Sequence, residues 1–138
     1  MSLSSLSSLP WTNRQSRQTL VAAALYNLIW GALVVCFPDS TLGWLGLPSE
    51  ASREIWQCLG MVVGVYGVGY AIAASDPDRH WPIVLVGLLG KVLGPIGFVL
   101  AALDGRLPWR FGWLNVTNDL IWWIPFGLIL WHAARKSL

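Results

Sequence analysis

Two ionisable residues stand inside apolar sequence and are the first candidates for chemistry. Lys91 interrupts "GLLGKVLGPIGF", Gly87 to Phe98, and Asp119 opens "DLIWWIPF". A charge at mid-bilayer costs about 2.5 to 3.5 kcal/mol on insertion scales, so such a lysine must be paired, neutralised or exposed to water in a cavity. Asp119 is the only carboxylate embedded in an apolar span, so the two could bind a ligand or relay protons. Asn115, Asn118, Asp119 and Trp122 lie at i, i+3, i+4 and i+7, which on a helix sets two amides, a carboxylate and an indole on one face. Asn27 and Trp30, three apart with Tyr26 beside them, supply a second polar stretch. "NLIW" at 27–30 echoes "DLIW" at 119–122, a match too short to carry an internal duplication.

The elements that must position these groups follow from composition. Of 138 residues, 55% are hydrophobic and only 12% charged, against about 25% charged in soluble domains. This is the composition of one membrane domain. The net charge of +2 comes from scattered arginines, which excludes a nucleic-acid surface. A spanning helix needs roughly 20 apolar residues, and four stretches qualify: 19–37, 55–75, 82–103 and 112–132. The first stops at Pro38, residues 49–54 offer caps for the second, and Pro82 opens the third where a helix tolerates it. Short links make successive helices antiparallel neighbours. The expected fold is therefore all-α, an antiparallel bundle of four transmembrane helices over 19–134, with a flexible tail at 1–18 and a short one at 135–138.

Orientation follows from the basic residues. Arg14, Arg17, Arg79, Arg135 and Lys136 lie on one side, against Arg53, Arg106 and Arg110 on the other, so both termini are expected in the cytoplasm. Trp11, Trp44, Trp81, Trp109, Trp113 and Trp131 fall near span ends, where indoles anchor at the interface. The opening "MSLSSLSSLP" lacks the features of a secretory signal.

Counting about 1.5 Å per residue from the cytoplasmic ends places Asn27, Tyr66 and Lys91 about 12 to 13 Å deep, Trp122 about 16 Å and Asp119 about 21 Å. Three helices thus contribute to one polar layer. Pro95 has no N–H, so the carbonyl of Lys91 loses its helical partner; Pro125 does the same to Ile121. A polar side chain or an ordered water is needed at each. Gly60, Gly64, Gly67, Ala71 and Ala74 in the second span, and Gly87, Gly90, Gly94, Gly97 and Ala101 in the third, form small-residue stripes. Such stripes let membrane helices approach closely, and these two are expected to pack against each other.

Other groups have plainer accounts. "SDPDRHWP" at 75–82 holds Asp76, Asp78, Arg79 and His80 and reads as a turn with Asp caps. His80 and His132 share no metal or haem spacing. Cys36 and Cys58 could approach each other, but apolar surroundings suppress thiolate chemistry and suit buried packing residues.

With "YNLIWG" at 26–31, "GMVVGVYGVGY" at 60–70, "DPDRHWPIVLVGLLGKVLGPIGF" at 76–98 and "NDLIWWIPF" at 118–126, the chain resembles a group of small bacterial four-span integral membrane proteins. Some members carry the label alkyl hydroperoxide reductase, which implies a peroxidatic cysteine on a thioredoxin-like domain. No βαβ pattern or activated cysteine context occurs here. The resemblance implies the four-span fold and no mechanism.

The expectation is a multi-pass protein of the cell inner membrane, without a catalytic residue, metal or cofactor. Lys91, Asp119, Asn27, Asn118, Asn115, Tyr66, Trp30 and Trp122 would form a site that binds or passes a small solute, a proton or a lipidic molecule. Its partners are the bilayer and, since four spans are few for a transport path, a second copy or a larger membrane complex. The alternative is an accessory or assembly subunit whose Lys91 and Asp119 only fix helix registry.

Overall fold

The computed structural model describes residues 11–48 and 53–137. The tail expected over 1–10 and the caps expected at 49–52 lie outside these residues. Helix α1 spans Asn13–Cys36, α2 Pro38–Trp44, α3 Arg53–Ser75 and α4 Trp81–Leu103. A 3-10 turn at Trp109–Phe111 leads into α5, Gly112–Asn118. A second turn at Leu120–Trp122 leads into α6, Trp123–Ser137. The described residues are mostly helical, without strands, and α1, α3 and α4 are each long and apolar enough to cross a membrane.

Helix α1 starts at Asn13, ahead of the boundary expected near residue 19. The reason is a capping box: Gln15 N donates to Thr12 Oγ1 (3.3 Å) while Thr12 N donates to Gln15 Oε1 (2.8 Å). The box satisfies two orphan N–H groups at the helix start and so extends the helix into what reads as tail. Helix α2 occupies part of the link expected to be a polar loop. Pro38 takes its first turn, and Gly46, at φ +72°, reverses the chain after it.

The expected continuous helix over 112–132 does not form. The helix breaks at Asp119 (φ −122°, ψ −64°) and restarts at Trp123. Pro125 then lies in the first turn of α6, where a missing N–H is harmless; inside one long helix it would orphan the carbonyl of Ile121.

The glycine stripe of α3 faces α1, not α4. A Cβ at Gly31 would lie 2.6 Å from the Gly60 carbonyl oxygen, one at Gly60 2.6 Å from Val34 Cγ1, and one at Gly67 3.0 Å from Asn27 Cβ. Backbones meet because both helices are flat there. The stripe of α4 meets bulkier groups: Gly87 receives Tyr70 and Gly94 receives Asp119, whereas a Cβ at Gly90 or Gly97 would meet nothing within 4 Å. A cleft therefore remains between α3 and α4 where close packing was expected.

A buried apolar core lies toward each end of the molecule. At one end Leu20, Tyr70, Val84, Phe126 and Ile129 are fully buried. There Asp78 Oδ2 accepts from Lys136 Nζ (2.6 Å) and Asn13 Nδ2 (3.5 Å), so the start of α1, the α3–α4 turn and the end of α6 meet. Asp76 Oδ1 caps Arg79 N at 3.2 Å, as the turn reading requires. At the other end Val34, Leu42, Leu45 and Trp56 form a second core, closed by α2 and by a bond from Trp56 Nε1 to Thr41 Oγ1 (2.8 Å).

Candidate functional site

Between the two cores lies the polar layer, and its geometry follows from the two interrupted helices. Pro95 frees the carbonyl of Lys91, and Trp123 Nε1 donates to that oxygen at 2.8 Å. The break at Asp119 frees carbonyls in α5. Lys91 Nζ donates to that of Asn118, and Trp122 Nε1 to that of Thr117 (3.0 Å). Each helix therefore satisfies the other's orphaned backbone.

Lys91 is only 3% exposed. Its ammonium lies 5.6 Å from the ring centroid of Tyr70, 5.9 Å from Trp122 and 5.7 Å from Phe126. Aromatic faces carry negative charge density, so this cage stabilises a desolvated cation. Asp119, 7% exposed, accepts from Asn118 Nδ2 at 2.8 Å. Among the described residues the ion pairs are Arg53 with Asp39, Arg106 with Asp104 and Lys136 with Asp78, so Lys91 and Asp119 share a neighbour, Asn118, without pairing directly.

What separates them is space. A cavity of about 160 Å³ is lined by Asn27, Tyr66, Tyr70, Lys91, Asn118 and Asp119. At about 30 Å³ per molecule of liquid water this is room for roughly five waters. A second cavity, of about 270 Å³, lies beyond Asn118 and Asp119 and reaches Trp30, Trp56, Asn115 and Gly94. Asn27 Nδ2 donates to the Val63 carbonyl (3.1 Å), but Asn27 Oδ1, Asn118 Oδ1 and Asn115 Nδ2 are buried without a protein partner. Three unsatisfied amide atoms around one layer are unusual, because an unmade buried hydrogen bond costs about 1 to 3 kcal/mol.

Of the eight residues singled out in the sequence, Lys91, Asp119, Asn27, Asn118 and Tyr66 line the first cavity, and Trp30 and Asn115 line the second with Asn118 and Asp119. Trp122 lines neither; it faces the ammonium and ties α5 to the turn. Sequence reasoning missed Tyr70, Phe126 and Trp123. Tyr70 follows Tyr66 by one helical turn, a spacing that was available as a signal. Phe126 and Trp123 were hidden because the break at Asp119 resets the helical register. Cys36 and Cys58 are exposed and unpaired, not buried packing residues: each sits on an outward helix face. No cluster of His, Cys, Asp and Glu among the described residues is arranged to hold a metal.

Comparison of the chain with protein-family models, with curated proteins and with solved structures gives no match.

Proposed function

We propose that this is a four-span membrane protein whose polar layer is a ligand-binding site. In this reading the segment from Trp109 to Ser137 completes the fourth crossing, both termini are cytoplasmic, and the membrane is the cell inner membrane. Relationship to the small bacterial four-span proteins that the sequence resembles belongs to the same proposal. The contact of Lys136 and Asn13 with Asp78 supports a common side for both chain ends and the α3–α4 turn.

One observation carries the reading: two buried, oppositely charged side chains share a cavity without closing on each other, and two of the residues lining it, Asn27 and Asn118, have amide oxygens without a protein partner. A layer built only for registry would be expected to satisfy itself. Binding is favoured over passage because a buried apolar core lies on each side of the layer. The second reading, an accessory or assembly subunit with a structural Lys91 and Asp119, draws on the reciprocal carbonyl contacts of Lys91 and Trp123.

The test uses a plug. A Cβ at Gly90 meets nothing within 4 Å, and Gly90 lines the cavity, so Gly90→Leu is the substitution expected to extend into the site. Native mass spectrometry of protein released from membrane-derived nanodiscs is expected to find a retained small molecule on the wild type and none on Gly90→Leu. Identical spectra for the two proteins would sink the binding-site reading.

A further inference from the structure

The way into the cleft indicates what it binds. The first cavity is rimmed by Val62 and Gly90, both exposed near the middle of α3 and α4, and the second by exposed Leu59 and Gly94 on the same two helices. With these exposed rim residues in mid-helix and an apolar core toward each end, the mouth faces sideways, into the hydrocarbon. Further along the α3–α4 gap, an apolar groove of about 370 Å³ is lined by Val65, Gly69, Pro82, Ile83 and Val86 and shares Tyr66 as a lining residue with the polar cavity.

Resting on the binding-site reading above, we propose that the occupant is a membrane-dissolved amphiphile with an uncharged hydroxyl head, entering between α3 and α4. The head lies in the polar cavity and the hydrocarbon tail in the adjoining groove. The head must donate, because the Asp119 carboxylate on the cavity wall accepts a single hydrogen bond, from Asn118 Nδ2. It must also accept, because the Lys91 ammonium has three protons and a single hydrogen-bond acceptor, the Asn118 carbonyl, beside its aromatic neighbours. A hydroxyl does both. A charged head is disfavoured, since it would have to leave water for the bilayer centre and would unbalance a layer that already holds one charge of each sign. Gly90 then has a purpose other than helix packing: without a side chain it leaves the cleft open.

The probe is hexadecanol carrying a photoactivatable diazirine on its chain, added to the full-length protein in phosphatidylcholine vesicles. Adducts are expected to concentrate on Val65, Ile83 and Val86. They should fall about tenfold for the methyl ether of the same probe, which has lost one donated hydrogen bond, and vanish in Gly90→Leu. Labelling spread evenly over outward residues such as Ile55, Leu103 and Ile124, or equal labelling by alcohol and ether, would overturn the proposal. So would intermolecular cross-links placing a second copy of the chain in the cleft. If the wild type retains a molecule that Gly90→Leu lacks while the alcohol labels at random, the amphiphile proposal alone fails and the binding site stands.

Discussion

The contact between Trp123 and the carbonyl of Lys91 gives the sharpest energetic expectation. Its need arises from Pro95, which removes the N–H that would otherwise bond that oxygen within α4. Replacing Trp123 with Phe keeps an aromatic ring but leaves the carbonyl without a donor. An orphaned buried carbonyl costs about 1 to 3 kcal/mol, while measured side-chain hydrogen bonds in membrane proteins average only about 0.6 and reach about 1.7 kcal/mol. Because this oxygen is in a helix interior and its bond is 2.8 Å long, we place the loss at the upper end, about 1 to 2 kcal/mol. Pro95→Ala supplies the missing helical N–H, so in that background Trp123→Phe should cost only its lost packing, about 0.5 kcal/mol or less. The four proteins form a double-mutant cycle, read by reversible unfolding in mixed micelles. A coupling near 1 kcal/mol is expected. If Trp123→Phe costs the same with and without Pro95, the indole does not replace the missing helical bond and the reasoning is refuted.

Other expectations follow from the same packing. Gly87→Ala would set a Cβ 2.5 Å from the hydroxyl of fully buried Tyr70, so it should destabilise by about 1 to 3 kcal/mol, whereas Gly90→Ala should change stability by less than about 1 kcal/mol in the same unfolding assay. Gly31→Ala, directed 2.6 Å from a backbone oxygen of α3 that cannot swing aside, should separate α1 from α3, visible as a lengthened distance between spin labels at Cys36 and Cys58. Asp78→Asn removes the partially exposed pair with Lys136 and should cost no more than about 1 kcal/mol, an effect that shrinks with added salt.

Much of this architecture was legible because burying charge in lipid is so costly that any chain doing it reveals its intent. Lys91 and Asp119 marked the polar layer, and the two prolines marked where backbone partners would be missing. The partners themselves were less visible. An i, i+4, i+7 count across Asn115 to Trp122 assumes an unbroken helix, and the break at Asp119 rotates everything after it, so Trp123 and Phe126 arrive at Lys91 unannounced. A glycine stripe records that a helix face is flat without recording which neighbour uses it. Gly31, a single glycine in α1, decided that α3 would pack there and left the stripe of α4 beside a cleft. The early start of α1 was missed because the apolar run begins only at residue 19, although the Thr12 and Gln15 capping box was present in the sequence.

The central claim is that the polar layer is filled by something other than its own side chains. Solid-state NMR on the protein in pure phosphatidylcholine vesicles, with polarisation transferred selectively from water, addresses it directly. With no other ligand present, water should fill the cavity, and signal should reach the side-chain amides of Asn27 and Asn118; adding hexadecanol should replace that transfer with contacts to the alcohol. Amides that receive nothing in either state would mean a dry layer that satisfies itself, and would contradict the account.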